Sequence, residues 1–395
     1  MPPHDGGRAA GPVPSGRRRV AISANHRPAD DDRPPPASAE EGFVLLDGVT
    51  PVAPLSPADF SGQQLVAADT ARDLEERLAA FEDLLESEVG DTTLYRARNV
   101  ERAAGMRQLF LKFEGGNPSG TQKDRIAFAQ ALDAMRRSYD TIAVATCGNY
   151  GVATALAAAS AGLRCLVHIP AGYHSLRTRE MEELGAEIVR VPGDYENAVE
   201  VSRAQAEAED LYDANPGGAN TLIQLRAYGE IAYEIYDELR DAPAAIAVPA
   251  SNGTTLAGIH HGFVSLYRRG KTSRIPRFIC GSSHGKNPIV RAWRKGLPDC
   301  SDLEPEKIHE TAVNEPLINW HSIDGDLALD AIRQSEGWAA DASDRAMLQQ
   351  ARELREKEGL QVLPASTAGL LVLLARHQQE PLPGDRYVAV LTGRK

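Results

Sequence analysis

Only four cysteines occur in 395 residues, Cys147, Cys165, Cys280 and Cys300, and none stands in a C-x-x-C pair or beside a partnering histidine pattern. That excludes a disulfide framework and the common zinc spacings, and it fits a reducing cytoplasm. Long apolar runs are missing as well. Nothing approaches the roughly 20 residues needed to cross a bilayer, so no membrane role is expected. Clustered positive charge is scarce: the formal net charge is -12, and a nucleic-acid surface would need grouped Lys and Arg to neutralise phosphates. The one compact basic run, Arg17, Arg18 and Arg19, lies in a head of Pro, Gly, Ala and charged residues. Residues 1–41 cannot bury enough apolar surface to offset ordering entropy and are expected to be disordered. A twin-arginine or secretory signal would need an apolar stretch behind the arginines, and only "VAISA" precedes Asn25 and His26.

Two nucleotide-binding loops are absent too. In "EGGNPSGTQKDR", Gly120 is followed by Thr121, Gln122, Lys123 and Asp124, so the Gly-Lys-Ser/Thr of a Walker A loop is not formed. No G-x-G-x-x-G follows any apparent strand.

What is present is alternation. The length favours two domains or one large α/β unit. Residues 43–66 read as mixed strand and loop. In "TARDLEERLAAFEDLLESEVG", Leu74, Leu78, Phe81 and Leu85 recur at helical spacing until Gly90, which predicts a packing helix. Thereafter apolar "TIAVAT", "RCLVHIP", "AEIVRVPG", "AAIAVPAS", "RFICGSS" and "YVAVLTG" are separated by helical runs. Strand-helix alternation of this kind predicts parallel sheets with helices on both faces and ligands at the carboxyl ends of the strands.

Three polar turns fall at such ends: "TCGNYG", "ASNGTTLAG" and "TGRK". In the second, Ser251, Asn252, Gly253, Thr254 and Thr255 offer hydroxyls, a carboxamide and backbone N–H groups ahead of a helix, a phosphate grip that needs no cation. A plain Ser/Thr/Asn helix cap would read the same way. Lys123 stands at a strand-to-helix junction, where desolvation would make its amine a nucleophile. The plain alternative is a solvated lysine beside Asp124.

The run "EVGDTTLYRARNVERAAGMRQLFLKFEGGNPSGTQKDR" resembles the opening of threonine synthases and their relatives, pyridoxal 5'-phosphate enzymes of fold type II, the tryptophan-synthase-β class. The likeness continues in order to the C-terminus. It implies an α/β protein of two parallel-sheet domains with the cofactor in the cleft between them: residues 42–124 and 223–395 as the large domain, 125–222 as the small one. It implies further that Lys123 forms the internal aldimine and, once freed, serves as the base at Cα. Asn149 matches the asparagine on the cofactor's phenolic oxygen, Ser251 to Thr255 match the phosphate loop, and Thr392 the hydroxyl facing the pyridine nitrogen. A neutral hydroxyl there makes the ring a weaker electron sink, favouring elimination and replacement over transamination. Thr121, Thr146, Cys147 and Gly148 fall where the substrate is held, although Cys147 also reads as a small buried filler.

The likeness weakens at the substrate end. In "YDANPGGANTLIQLRAYGEIAYEI", Asn215 and Pro216 are kept, but Tyr228, Gly229 and Glu230 replace the family's Gln-Lys-Thr. Gln122 replaces a phenylalanine, and Leu363 an acid in "EGLQVLPASTAGL". Charge-assisted contacts to a substrate phosphate would then have to come from Arg226, Lys286 or His284, each of which also reads as a surface or cap residue. The resemblance implies a cytoplasmic homodimeric lyase that acts on an amino acid, by way of threonine synthesis from O-phospho-L-homoserine. A Ser/Thr dehydratase or a β-replacement synthase is the alternative, and a non-catalytic scaffold a more distant one. No nucleic-acid or membrane partner, no metal and no C-terminal regulatory domain is expected.

Overall fold

In the computed structural model, residues 62–173 and 176–395 are described. The head, residues 1–41, and most of the stretch read as strand and loop lie outside them. Ten strands are present among these residues: β1 (Leu94–Arg96), β2 (Leu109–Phe113), β3 (Thr141–Ala145), β4 (Arg164–Pro170), β5 (Glu187–Val191), β6 (Tyr212–Asp213), β7 (Ala245–Pro249), β8 (Arg277–Ser283), β9 (Trp338–Ala342) and β10 (Tyr387–Leu391). They form a six-stranded sheet in the order β1-β2-β10-β7-β8-β9 and a four-stranded sheet in the order β5-β4-β3-β6. All pairings are parallel except β1 with β2.

The strands β3, β7 and β10 are buried along their whole length. Such continuous runs of Val, Ile, Leu and Ala suit a sheet covered on both faces, where the alternation of a half-exposed strand would leave polar groups stranded. The chain from β2 enters the helix Lys123–Arg136 directly, and that helix packs against both Asn149–Ser160 and Thr221–Leu239.

Two helices approach unusually closely. A Cβ on Gly262 would meet Gly229 O at 2.5 Å and one on Gly258 would meet Leu225 O at 2.9 Å. Glycines at 229, 258 and 262 therefore let Thr221–Leu239 lie on Thr254–Arg268 nearly backbone to backbone. This explains Gly229 in the departure noted above, and Glu230 beside it is exposed.

The helix Leu74–Glu88 forms as its spacing predicts, capped by Asp73, whose side chain accepts from Glu75 N. Phe81 stacks on Phe128 with ring centroids 5.7 Å apart. Residues Gln63–Ala68, at the end of the expected strand-and-loop stretch, are helical instead. A helix this short is marginal alone and is held by tertiary contacts: Ala67 is buried and its carbonyl accepts from Arg77 Nε at 3.0 Å.

Candidate active site

The carboxyl ends of β3, β7 and β10 open on one cavity of about 490 Å³. β3 delivers Thr146, Cys147, Gly148 and Asn149; β7 delivers Ser251 to Thr255; β10 delivers Thr392. Lys123 arrives from β2 by way of the glycine-proline turn. Of the residues matched to cofactor and substrate contacts in the sequence, all line this cavity except Thr121, which is buried.

The turn is tied at both ends. Thr121 bridges to Gly393, its Oγ1 accepts from Lys123 N at 3.2 Å, and Gln122 N donates to Thr392 O at 3.0 Å. Arg394 donates to Gly115 O and Pro118 O, both at 3.2 Å. On the other side Asn117 accepts from Gly90 N at 2.9 Å and donates to Glu114 O at 2.9 Å. Glu114, fully buried, pairs with Arg125 at 2.6 Å, and Arg125 also pairs with Glu234 at 2.6 Å. A buried ion network thus fixes the loop that aims Lys123, which begins the helix Lys123–Arg136.

The Lys123 amine lies deep in the protein, yet the side chain keeps some accessible surface because it lines the cavity. Burial pushes it down to about 8, against the pull of the Asp324 charge, which favours the ammonium form. Its Nζ stands 5.8 Å from the Tyr150 ring centre and 5.9 Å from that of Tyr228. Tyr228, where the sequence departs from the family pattern, is therefore buried beside the amine. At pH 7.5 a pKa of about 8 leaves about a quarter of the amine neutral, against about one part in a thousand for an ordinary lysine.

Across the cavity, the helix Thr254–Arg268 starts without a side-chain cap. Its first-turn N–H groups and helix dipole are left for an anion. Gly253 precedes it at φ +96°, where a Cβ would lie 2.7 Å from Asp324 O and 2.8 Å from Ala328 Cβ. The loop is clamped from behind: Asn252 O accepts from Asp324 N at 3.1 Å, Ser251 O from Ser322 Oγ at 3.1 Å, and Asn319 donates to the Asn252 carboxamide oxygen. Thr254 Oγ1 donates to Asp324 Oδ2 at 2.5 Å. The helix Asn149–Ser160 also begins with no side-chain cap, giving a second anion-competent N-terminus beside Thr146, Cys147 and Gly148. Burial, and then the charges of Glu315 and Glu310, push the Cys147 thiol up to about 12, so it is no thiolate nucleophile at neutral pH. Thr392 Oγ1 lies 3.1 Å from Ser366 Oγ, which in turn accepts from Gly393 N.

This donor set fits pyridoxal phosphate: a desolvated amine for its aldehyde, an open helix N-terminus with a tight glycine for its phosphate, and a neutral hydroxyl pair at the end of β10. Sequence reasoning did not single out Asp324, Ser366 or Tyr150. Asp324 comes from a loop with no motif, and Ser366 and Tyr150 become functional only through chain pairings far apart in sequence. The proposed phosphate-holding cations are not in the cavity. Arg226 is exposed, Lys286 donates to His309 O at 2.5 Å, and His284 pairs with Asp341 at 3.0 Å.

A family profile described as pyridoxal-phosphate dependent enzyme matches residues 85–393. The threonine synthase of Methanocaldococcus jannaschii is 29% identical over 307 residues, covering 77% of this chain and 74% of that one. The threonine synthase of Methanosarcina acetivorans is 30% identical over 305 residues with the same shares covered. Among solved structures, maize serine racemase superposes with a TM-score of 0.66 at 17% identity, over 80% of this chain and 93% of the other, which is a likeness of fold.

Proposed function

Because the chain belongs to the pyridoxal-phosphate dependent enzyme family, we propose that it is a threonine synthase-like lyase carrying out elimination or replacement at the side chain of an α-amino acid. The carrying observation is the Lys123 amine, shifted to about 8 by burial, facing an uncapped helix N-terminus across one cavity. Lys123 would hold the cofactor's aldehyde carbon, Ser251 to Thr255 its phosphate, Asn149 its phenolic oxygen and Thr392 its ring nitrogen. When bound there, pyridoxal phosphate supplies an electron sink for heterolysis at Cα.

The chain's own residues do the rest. Lys123 Nζ is poised to take the Cα proton and to return it, because its pKa lies near working pH. The N-terminus of Asn149–Ser160, with Thr146 and Gly148, orients a substrate carboxylate. The rings of Tyr150 and Tyr228 keep water from the amine and so sustain its low pKa. Thr392, hydrogen-bonded to Ser366, offers a hydroxyl rather than a carboxylate to the ring nitrogen, which supports elimination over transamination.

The same reading takes residues 42–124 and 223–395 as the cofactor-holding domain and 125–222 as the smaller one; in support, the six-stranded sheet draws on β1, β2 and β7 to β10 and the four-stranded one on β3 to β6. It includes a cytoplasmic homodimer. Four free thiols are in keeping with a reducing compartment, and light scattering checks the dimer.

Phosphate release from O-phospho-L-homoserine, with threonine formed, tests the threonine synthase reading on the cofactor-loaded protein, with Lys123→Ala as control. Release that the control abolishes supports it. No release from a protein with an intact visible cofactor band rejects threonine synthesis in favour of serine, O-phosphoserine or a related substrate. Within that second reading, serine or another substrate without phosphate is favoured by one observation: among the described residues, no arginine and no histidine lines the cavity.

A further inference from the structure

The cavity carries a charge pattern that the lyase reading leaves unused. Among the described residues lining it, Lys123 is the one basic side chain, whereas Asp194, Glu196, Glu310 and Glu315 bring four carboxyl groups. Burial pushes the last three up, Glu196 to about 7, and a cation placed among them would draw them to the charged form. Basic side chains do stand behind the wall, but each is engaged. Arg177 pairs with Glu180 at 2.5 Å, Arg190 donates to Tyr173 O at 2.5 Å, Arg203 donates to Pro216 O, and His321 pairs with Asp302 at 2.8 Å. None of these four lines the cavity. Glu315 reaches the reacting end: a Cβ on Gly148 would lie 3.1 Å from its Oε1.

Gln224 makes the same point independently. It is fully buried and lines the cavity. Its Nε2 is committed to Gln130 Oε1 at 3.1 Å and to the carbonyls of Ala214 and Asn215 at 3.4 Å, which fixes the orientation of the amide. Its Oε1 has no donor. An enclosed acceptor without a donor costs free energy until the wall parts enough for an N–H or O–H group to meet it. The rings of Tyr173, Tyr195 and Trp320, which line the same cavity, suit a cation as well.

We propose that this wall selects a reactant bearing a primary ammonium group beyond Cβ or on it, and disfavours a phosphate ester; the proposal rests on the elimination and replacement reading above. The ammonium belongs either to the amino-acid substrate itself or to an amine that adds at Cβ. In the first case, L-2,3-diaminopropionate loses ammonia from Cβ as the Cα proton leaves. Water then hydrolyses the resulting enamine, so that one diamino acid and one water give pyruvate and two ammonia. In the second, the nitrogen of the amine forms a bond to Cβ while the hydroxyl of serine departs as water, the amine giving up one proton.

The test uses the full-length, cofactor-loaded protein and follows the visible cofactor band during titration with L-2,3-diaminopropionate, L-serine, O-phospho-L-serine and O-phospho-L-homoserine. Pyruvate and ammonia are assayed in parallel, and 1,2-diaminoethane is supplied with serine. The expected result is half-saturation by diaminopropionate at a concentration at least tenfold below that of either phosphate ester. In Glu315→Gln the preference for diaminopropionate over serine should fall at least tenfold. Pyruvate with two ammonia assigns the ammonium to the substrate; a diaminoethane-serine adduct assigns it to the incoming amine. A phosphate ester that saturates at lower concentration than diaminopropionate overturns the proposal, and this comparison needs no variant. Equal shifts for all four ligands in Glu315→Gln overturn it too. A wild-type protein that takes up no visible cofactor overturns the underlying lyase reading, and the two failures are thereby told apart.

Discussion

Replacing Arg125 by Met should destabilise the protein more than almost any other single change near the site. Arg125 is buried and its guanidinium is shared between Glu114 Oε2 at 2.6 Å and Glu234 Oε1 at 2.6 Å, with Lys112 meeting Glu234 from the other side at 2.5 Å. Burial by itself pushes the Glu234 carboxyl up, but hydrogen bonding and charge from Arg125, with Lys112, outweigh it and hold the group down to about 2. Set against an ordinary glutamate, that corresponds to about 3 kcal/mol of pairing at neutral pH. The folded-state pKa is depressed, so this contribution is complete above about pH 4.5 and is lost as the pH falls towards 2. Removing Arg125 also strands the fully buried Glu114, and breaking a buried pair by deleting one partner costs about 3–5 kcal/mol. Urea unfolding at pH 7 should show a loss in that range. Adding Glu114→Gln should recover part of it, because the uncompensated charge is removed. A loss below about 1 kcal/mol, or strict additivity of the two changes, would refute the view that this network holds the lysine turn.

Gly253→Ala introduces a Cβ at φ +96°, 2.7 Å from Asp324 O, so pyridoxal phosphate affinity measured by absorbance titration should fall at least about tenfold; unchanged affinity would mean that this turn does not cradle the phosphate. The capture of pyridoxal phosphate by the cofactor-free protein should accelerate as the pH rises through about 8 and level off above it, since only the neutral Lys123 amine attacks; a rate still climbing towards pH 10 by stopped-flow absorbance would show an ordinary, solvated lysine.

The sheet strands, the three polar turns and Lys123 were legible because each is a local pattern. β3, β7 and β10 are continuous apolar runs, and each glycine-bearing turn follows one directly. Other elements carried no such signal. β9 reads Trp-Ala-Ala-Asp-Ala, with little strand propensity, and exists because it completes the sheet against β8 with Cys280 opposite Ala339. β1 and β6, of three and two residues, are products of pairing rather than propensity. Helix Gln63–Ala68 is likewise a tertiary product, held through Ala67 and Arg77.

The same division runs through the site. Residues that hold the cofactor in this reading follow strand ends and so can be found from order along the chain. The residues that set its chemistry come from elsewhere: Asp324 raises the affinity of Lys123 for its proton, Ser366 holds Thr392, and Tyr228 walls the amine. Specificity is more dispersed still, with Glu196 after β5, Gln224 on a helix, and Glu310 and Glu315 on a segment between strands. No spacing rule joins these positions, because their only common property is the cavity they line. The position of Tyr228 reconciles the departure from the relatives' pattern with the proposed lyase chemistry. A polar side chain beside Lys123 would hydrogen-bond the ammonium form and raise its pKa, whereas the buried ring, with burial the largest influence on the amine, leaves it near 8. In the proposed reading the chain keeps Lys123 as the base at Cα while giving up the family's polar groups, and a substrate without phosphate is the chemistry for which that exchange carries no penalty.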